Sequence, residues 1–353
     1  MIYALILAGG KGVRLYPLSR KSKPKQFLNV FGNKSFLRDT LDRVLPIINK
    51  DNVYVVTNED YKEKIYEETD EINKENIFVE PENKETATCI GLSCAKLLKK
   101  DKDATLVVLP SDHYIEGKRE FKDTILQGIE IAEKKRGLVT IGVLPTRPET
   151  GYGYIKMGSR TNAAIESYKV ERFLEKPNID VAKDLIETKN YLWNSGIYIF
   201  RADIYLREME KYLPHMYKNI INIYQTIGTD EEKQTIEEQY RLIDGISVDF
   251  GIMQKTRKGY VVKCNFLWDD IGTFGAISRY INKKRDSFGK SYMEDSENCF
   301  VYSKDKLIIG FGIKDLIIVE SKDVILIMEK NKDQELKHLV NKLIEDKSFD
   351  EYL

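Results

Sequence analysis

The fold is decided by residues 2–10, which are Ile-Tyr-Ala-Leu-Ile-Leu-Ala-Gly-Gly. The nearly unbroken apolar run is typical of a β-strand that is buried on both faces, as the central strands of parallel sheets are. The two glycines then end the strand and begin a loop. In open α/β sheets, ligands bind at the carboxyl ends of such strands. This segment therefore predicts a central strand and a binding site beside its end.

Strand and helix patterns alternate along the chain up to residue 144. Further apolar runs at 53–57, 77–79, 104–109 and 138–144 predict strands, and most of the segments between them carry helical spacing. This alternation is typical of βαβ units. We therefore predict an α/β fold with a Rossmann-like, mostly parallel sheet that helices flank. Shorter strands after residue 144 predict an α+β elaboration.

The C-terminal part of the sequence has a different pattern. Apolar runs at 299–302, 307–312, 316–320 and 324–328 predict a small β-rich unit. The terminal helix is predicted to be amphipathic. Its apolar residues recur with helical spacing at Leu336, Leu339, Val340, Leu343 and Ile344.

A basic, glycine-containing stretch near residues 283–290 resembles a linker. We therefore predict a catalytic domain over residues 1–287, followed by the β-rich unit with its helix over 288–353.

The charge balance narrows the classes of partner. There are 56 Lys+Arg and 56 Asp+Glu, which disfavours the basic face that nucleic-acid polymers or anionic lipids need. The apolar run of residues 2–8 is far shorter than the roughly 18 residues of a membrane span. The four cysteines have no C-x-x-C spacing, which favours reduced thiols. We therefore predict a cytoplasmic protein that binds neither nucleic-acid polymers nor membranes.

The loop after the first strand combines Gly9, Gly10 and Gly12 with the cations Lys11 and Arg14. Glycines let backbone N–H groups approach phosphate oxygens closely, and the cations add positive charge. A dinucleotide fingerprint would need a glycine at position 15, which is leucine, and a Walker-type loop would need a Gly-Lys-Ser/Thr ending. The pattern predicts a phosphate-binding loop of another kind, with a plain strand-to-helix turn as the alternative.

Residues 7–28, LAGGKGVRLYPLSRKSKPKQFL, resemble the signature of sugar-1-phosphate nucleotidyltransferases, and PKQF resembles the mannose-1-phosphate guanylyltransferases in particular. The resemblance implies that Arg14 and Lys25 are catalytic and hold the triphosphate and the sugar phosphate. It also implies a set of nucleotide-binding residues. These are Leu7, Ala8, Gly9, Gly10, Gly12, Arg14, Glu80, Thr86, Ser111 and Asp112.

Two aspartates are candidate metal ligands. Asp112 follows the strand at 104–109, where a carboxylate is a natural magnesium ligand, although a helix N-cap is the alternative role. Residues 268–273, WDDIGT, resemble the family's second acidic motif, which implies that Asp270 is the other ligand, with Asp269 as a competitor. We therefore expect Mg²⁺ or another divalent cation as the cofactor.

Further segments resemble the family's sugar-binding loops. A carboxylate or an amide can hydrogen-bond vicinal hydroxyls, and a lysine can neutralise a sugar phosphate. A solvated surface pair is the alternative interpretation of Glu175 and Lys176. The implied sugar-phosphate-binding residues are Gly153, Glu175, Lys176, Asn194 and Asp249.

Base recognition is predicted from the chemistry of guanine. Its N1–H and N2–H₂ groups are two parallel donors that one carboxylate can accept. Glu80 follows the strand at 77–79 and resembles, by position, the glutamine that thymidylyl relatives place before a proline. We predict Glu80 as the guanine-binding residue, with Glu82 and Glu85 as alternatives.

The resemblance implies transfer of GMP from GTP to α-D-mannose 1-phosphate, with GDP-mannose and pyrophosphate as products. A sugar phosphate is already an anion at neutral pH, so no general base is needed, and His113 is expected to have a packing or hydrogen-bonding role. The alternatives are another nucleoside triphosphate or hexose 1-phosphate, or a non-catalytic regulatory homologue. We also predict a homo-oligomer, a dimer formed through the C-terminal unit, because that unit hardly buries its apolar surface alone.

Overall fold

The computed structural model describes residues 1–10, 12–161, 163–281 and 287–353, and these form two compact units. Unit 1 comprises residues 1–9, 41–110 and 115–268, and unit 2 comprises residues 10–40, 111–114 and 269–353.

Unit 1 is built on a large mixed sheet. The strands up to residue 269 are β1 Ile2–Leu7, β2 Val53–Asn58, β3 Ile77–Glu80, β4 Thr105–Pro110, β5 Tyr114–Glu116, β6 Leu138–Val143, β7 Gly153–Arg160, β8 Ser167–Glu175, β9 Tyr191–Arg201, β10 Gly259–Lys263 and β11 Leu267–Asp269. The main sheet has the order β3-β2-β1-β4-β9-β6-β10-β8-β7, and β5 pairs with β11 separately. β1 pairs in parallel with β2 and β4, and Ala4, Leu5 and Ile6 are fully buried, as predicted for a central strand.

One strand within the sheet, β9, runs opposite to both of its neighbours β4 and β6. This strand pairs antiparallel with β4 and β6, and β7 and β8 extend the sheet through further antiparallel pairs. The predicted α/β class is confirmed, and parallel pairs join β1 with β2 and β4, β2 with β3, and β6 with β10. The direction of β9 could not be predicted, because a buried apolar run has the same pattern in either direction.

Helices flank this sheet. They are α1 Phe36–Val44, α2 Lys62–Glu68, α3 Glu85–Lys100, α4 Lys118–Lys135, α5 Ile179–Glu187, α6 Ala202–Tyr212, α7 Pro214–Thr226 and α8 Glu232–Arg241. α4 packs against β4, β6, β9 and β10, whereas α3 packs against α6 and α7. Buried apolar residues of α3, α6 and α7 form one hydrophobic core with the strands.

Unit 2 contains the C-terminal strands and two helices. They are α9 Phe274–Tyr280, β12 Ser287–Phe288, β13 Ser291–Glu294, β14 Phe300–Tyr302, β15 Ile308–Phe311, β16 Leu316–Ser321, β17 Val324–Glu329 and α10 Leu336–Glu345. One sheet has the order β12-β14-β16-β17, and β13 pairs with β15. The four predicted C-terminal strands and the terminal helix are therefore confirmed. Part of the predicted linker, residues 282–286, lies outside the described residues.

The core of unit 2 joins distant parts of the chain. Leu15 and Phe36 from the N-terminal part pack in one cluster with Phe274, Tyr302 and Val340. Unit 2 therefore includes residues from the predicted catalytic domain, and the predicted boundary between residues 287 and 288 stays a prediction. No helix within the described ranges has both the length and the apolar character that crossing a membrane requires.

Candidate active site

The predicted phosphate-binding loop begins where β1 ends. The Ala8 N–H donates to the Val56 carbonyl at 2.8 Å, and the Ala8 carbonyl accepts from Thr57 Oγ1 at 3.2 Å, which fixes the strand end. A Cβ added at Gly9 or Gly10 would meet nothing within 4 Å among the described residues. The loop therefore leaves its backbone accessible at both glycines, as phosphate binding requires.

Gly12 brings the loop against Lys25. Its φ of 64° and ψ of 32° lie in the left-handed region, which glycine adopts without steric cost. A Cβ at this position would overlap Lys25 Cβ and would lie 3.1 Å from Ser19 Oγ. Both the backbone conformation and the close approach therefore require glycine here.

Lys25 is a buried lysine beside two aspartates of unit 2. It opens a short 3₁₀ helix, Lys25–Phe27, and is 7% exposed. Its Nζ lies 2.8 Å from Asp112 Oδ2 and donates to the Asp270 carbonyl oxygen. The structure therefore brings together the residues that were predicted as catalytic lysine and metal ligands. We call these three residues the lysine cluster.

Asp112 is held in its ionised form. Burial by itself would raise the pKa of this carboxyl, but the positive charges of Lys25 and His113 outweigh burial and lower the pKa below its usual value. The side chain is 30% exposed. Asp112 is therefore an accessible anion at neutral pH, and His113 is buried, as expected for packing.

A tight turn after β11 presents Asp270. Asp269 is 1% exposed, and its carboxylate accepts from the Ile271 N–H at 3.0 Å and from Arg279 Nη2 at 2.8 Å. Ile271 has a φ of 47°, which is unfavourable for a β-branched residue. The carboxylate of Asp269 therefore stabilises the turn, whereas Asp270 is the more accessible of the two candidate metal ligands.

The remaining predicted residues of unit 2 differ in exposure. Arg14 is exposed, and its side chain makes no hydrogen bond or ion pair with the residues that the structure describes. Ser111 is 2% exposed, and its carbonyl accepts from Thr40 Oγ1 at 3.3 Å, which fixes the loop before Asp112. Lys11 lies outside the described residues.

A second cluster, in unit 1, contains all five residues that were predicted to bind the sugar phosphate. A Cβ at Gly153 would overlap Glu175 Oε2 and lie 3.2 Å from Asn194 Cβ. Asn194 Nδ2 donates to Asp249 Oδ1 at 2.9 Å, and Lys176 Nζ lies 3.3 Å from Glu175 Oε1. We call these five residues the carboxylate cluster.

Both carboxyl groups of this cluster have raised pKa values. Burial raises the pKa of Glu175 to about 7, and the negative charge of Asp249 adds to the rise while Lys176 opposes it. Burial also raises the pKa of Asp249, against hydrogen bonds from Tyr198 and Asn194. Glu175 Oε2 is buried and has no hydrogen-bond partner among the described residues. This oxygen is therefore available to a ligand hydroxyl.

Sequence reasoning missed two members of this hydrogen-bond network. Tyr198 donates to Asp249 Oδ1 and accepts from Asn194 Nδ2 at 2.9 Å, and Thr140 Oγ1 donates to Asn194 Oδ1 at 2.8 Å. Both residues lie on buried strands, where they resemble ordinary core residues. The available signal was spacing, because Asn194 and Tyr198 are four residues apart on one strand and share a face.

The predicted guanine-binding residue lies against helices of unit 1. Tyr240 on α8 donates to Glu80 Oε1 at 2.9 Å. Burial raises the pKa of Glu80 to about 7, although hydrogen bonds with Tyr240 and with Cys89 on α3 lower it. The Glu80 carboxylate therefore has structural partners within the core of unit 1.

The alternatives for base recognition lie just before and at the start of α3. Glu82 is exposed and lies 3.2 Å from Lys84, and Glu85 is also exposed. The Thr86 hydroxyl accepts from the Val248 N–H at 2.9 Å. The assignment of the guanine-binding residue stays a prediction.

Two family models match this chain. Residues 3–287 match the model described as Nucleotidyl transferase, and residues 293–343 match the model described as MannoseP isomerase/GMP-like beta-helix domain. Both the lysine cluster and the carboxylate cluster lie within the first match.

Sequence similarity to known proteins covers nearly the whole chain. A mannose-1-phosphate guanylyltransferase of Salmonella montevideo is 35% identical, over 97% of this chain and 74% of its own length. One of Klebsiella pneumoniae is 33% identical, over 96% of this chain and 73% of its own length. A crystal structure from Thermus thermophilus, described as a mannose-1-phosphate geranyltransferase, is 31% identical with a TM-score of 0.87, covering 97% of this chain and 99% of that one.

Proposed function

We propose that this chain, which belongs to the nucleotidyl transferase family, transfers GMP from GTP to α-D-mannose 1-phosphate and releases pyrophosphate. The family membership that residues 7–28 predicted is confirmed by the match over residues 3–287. The observation that supports the reaction most directly is the lysine cluster, whose buried lysine contacts two aspartates and packs against Gly12 of the glycine loop.

In this reaction an oxygen of the sugar phosphate attacks the α-phosphorus of GTP in line. A new P–O bond forms, the bond to the bridging oxygen breaks, and pyrophosphate leaves with the bonding electron pair. The two reactants are polyanions that repel each other, so catalysis depends on positioning and on neutralising charge in the transition state. Lys25 and Arg14 supply that positive charge, and the backbone at Gly9, Gly10 and Gly12 holds phosphate oxygens.

The residues of unit 2 also fit a divalent cation. Asp112 and Asp270 provide carboxylate oxygens, the hard donors that Mg²⁺ prefers, and this ion commonly takes one or two carboxylates together with substrate phosphates and water. The lowered pKa of Asp112 keeps it deprotonated at neutral pH. When bound, the ion would neutralise charge on the phosphates.

The carboxylate cluster suits the sugar. Glu175 and Asp249 are buried oxygen acceptors with raised pKa values, so they take up protons more readily than ordinary carboxylates. Such groups can accept or donate hydrogen bonds to neutral hydroxyls. Lys176 is 56% exposed and can meet the phosphate of the sugar.

A pyrophosphate-release assay tests the reaction. Four nucleoside triphosphates are combined with several hexose 1-phosphates, and the Asp112→Asn variant serves as the inactive control. We expect the highest kcat/KM for GTP with mannose 1-phosphate. A preference for another pair would identify a different transferase, and no turnover with any pair would identify a non-catalytic homologue.

We propose a homodimer formed through the C-terminal β-rich unit, residues 288–353. Its exposed apolar residues include Ile309, Phe311 and Ile327, at 67%, 72% and 62% exposure. Burying them against a second copy would remove apolar surface from water. We expect the double variant Phe311→Glu/Ile327→Glu to lower the sedimentation coefficient. The control, Leu144→Glu, changes an exposed apolar residue of unit 1 and should leave the coefficient unchanged. A monomeric wild-type chain would refute the dimer.

We also propose that the enzyme acts in the cytoplasm. GTP is its substrate, and Cys89, Cys94, Cys264 and Cys299 are all free and buried, as in reducing compartments.

A further inference from the structure

Unit 2 contains a cavity of about 190 Å³ that the proposed reaction does not use. One wall comes from residues between 17 and 30, which follow the glycine loop in the chain and lie on both sides of Lys25 in sequence. The other wall comes from the ends of β14 and β16. The charged residues of the lining are Arg20, Lys23, Lys304, Lys322, Asp305 and Glu320.

The lysines of this lining lack matching carboxylates. Lys23 and Lys322 are exposed, and within the described ranges neither side chain has a hydrogen-bond or ion-pair partner. Lys304 Nζ donates to a neutral acceptor, Asn29 Oδ1, at 3.0 Å. Burial lowers the pKa of Lys304, and the positive charge of Lys23 lowers it further, against Asp305. The cavity therefore gathers like charges that an anion would stabilise.

The other charges of the lining are largely matched already. Glu320 accepts from Ser303 Oγ at 2.9 Å and from Lys306 Nζ at 3.3 Å. Arg20 pairs with Asp323 and donates to the Ser321 carbonyl at 3.2 Å. Among the described residues that line the cavity, Asp305 is therefore the one carboxylate that these contacts leave to oppose the three lysines.

We propose that this cavity binds a small phosphate monoester. Its volume is below the roughly 300–1,000 Å³ of pockets for drug-sized ligands, which suits a phosphate group on a short carbon skeleton better than a whole nucleotide. Lysine ammonium groups bind phosphate as point charges and can rotate to meet its oxygens. The proposed ligand contacts are Lys23, Lys304 and Lys322.

The cavity is linked to the lysine cluster through the chain. Backbone hydrogen bonds join Arg20 and Lys23, with the Arg20 N–H donating to the Lys23 carbonyl at 3.1 Å and the reverse bond at 2.9 Å. Pro24 and Lys25 follow directly. An anion that orders this hairpin therefore acts two residues from Lys25, and its binding changes turnover. This regulatory step rests on the proposed function, whereas binding itself does not.

Titration calorimetry on the full chain tests binding. The probes are inorganic phosphate and glucose 6-phosphate, which separate free phosphate from a phosphate monoester, at constant ionic strength set with NaCl. We expect tighter binding of glucose 6-phosphate. The Lys23→Ala/Lys304→Ala variant should bind about tenfold or more weakly, because each lysine makes a charged contact. Lys304→Arg, which keeps the charge, should retain binding.

Two further variants locate the ligand. Lys21→Ala removes a neighbouring exposed lysine that does not line the cavity, and it should leave binding unchanged. Lys25→Ala disables the lysine cluster and should also leave it unchanged. Loss of binding in Lys25→Ala alone would place the anion in the lysine cluster and overturn the proposal, as would the absence of saturable binding to wild type.

Kinetics test the regulatory step. We expect glucose 6-phosphate to change the kcat of wild type and of Lys21→Ala but not that of Lys23→Ala/Lys304→Ala. Saturable binding with an unchanged kcat would overturn the regulatory step and leave the binding site. An inactive wild-type chain would contradict the proposed function, while the calorimetric result would still decide the binding site.

Discussion

The two clusters of this molecule contain the same kinds of group, one lysine and two carboxylates, yet their protonation differs. In the lysine cluster, the Lys25 side chain is 8% exposed and its Nζ lies 2.8 Å from Asp112 Oδ2. This buried positive charge lowers the pKa of Asp112 despite the burial of the carboxyl.

In the carboxylate cluster, Lys176 is 56% exposed and lies 3.3 Å from Glu175. Solvent screens an exposed charge, so Lys176 compensates burial only in part, and the pKa of Glu175 rises to about 7. Burial of the lysine in one cluster and the like charge of Asp249 beside Glu175 in the other thus give the two carboxyl groups opposite pKa shifts. A charged cluster suits a metal ion and polyphosphates, and a more neutral cluster suits sugar hydroxyls.

The largest effect is expected from the aspartates of the lysine cluster. Asp112→Asn and Asp270→Asn should each lower kcat by about 10³-fold or more, because each removes a negative charge that would hold the cation. The double variant should lose far less than the sum of the two, since both serve one ion. Pyrophosphate release is measured with Mg²⁺ and with EDTA, and full activity in EDTA would refute the metal role.

Lysine substitutions test the comparison directly. Lys25→Ala should lower kcat by about 10²–10³-fold, the usual loss when one electrostatic contact to the transition state is removed. Lys176→Ala should lower kcat less, because Lys176 is exposed. Lys11→Ala should also lower kcat less, because Lys11 lies outside the PKQF motif that contains Lys25. Lys25→Met removes the charge but keeps an unbranched side chain of similar length, so it separates the effect of the charge on kcat from the effect of packing. Equal and small losses at all three lysines would contradict the assigned roles.

Much of this site could be predicted from local sequence. The glycine loop, Lys25 and Asp112 each follow a recognisable strand or motif, and the structure brings them together. The burial that sets the pKa of Glu175 could not be predicted, because it depends on contacts between β7, β8 and β9. Tyr198 was missed for the same reason, since a buried tyrosine on a strand resembles core.

The set of chain segments that form unit 2 could not be predicted either. The boundary between residues 287 and 288 stays a prediction, but the pattern did not show that Leu15 and Phe36 pack with Tyr302 and Val340. Sequence patterns report which face of an element is apolar, but they do not report which distant element covers that face.

The pH dependence of stability sharpens the comparison. The pKa of Glu175 in the folded protein, about 7, exceeds its ordinary value of 4.5, so its stabilising contribution is complete below pH 4.5 and is lost as pH rises to 7. Between pH 5 and pH 8, wild type should lose about 2 kcal/mol of unfolding free energy relative to Glu175→Gln. Urea unfolding at both pH values measures this loss.

The control is Glu187→Gln, at an exposed glutamate of α5, which should follow wild type. Asp112 should act with the opposite sign, because its folded pKa is lowered and its contribution is lost as pH falls through that value. A Glu175→Gln variant that keeps the pH slope of wild type would contradict the raised pKa.

Gly12 tests how the loop positions Lys25. Gly12→Ala adds a Cβ that overlaps Lys25 Cβ at a backbone φ of 64°. The strain and the overlap should together cost about 2 kcal/mol of unfolding free energy. Gly32→Ala is the matched control, because a Cβ at Gly32 meets nothing within 4 Å among the described residues. Equal stability of the two variants would show that Lys25 does not depend on this contact.

The smallest effect is expected at Glu80. If its carboxylate bound guanine, Glu80→Gln would replace an acceptor by a donor that faces a donor. In that case the substitution would cost about 1–3 kcal/mol of base discrimination, and the GTP/UTP ratio of kcat/KM would fall by roughly 5- to 150-fold. The carboxylate instead contacts Tyr240 and Cys89, and burial raises its pKa to about 7.

A carboxyl group that is engaged by core side chains has little freedom to meet a base, and the exposed Glu82 and Glu85 have more. We therefore expect the GTP/UTP ratio of Glu80→Gln to stay within about fivefold of wild type. Glu82→Gln and Glu85→Gln are measured beside it, at fixed Mg²⁺ and mannose 1-phosphate. A larger drop at Glu80 than at either neighbour would assign base recognition to Glu80, and it would show that a carboxylate with a raised pKa can serve the nucleotide as well as the sugar.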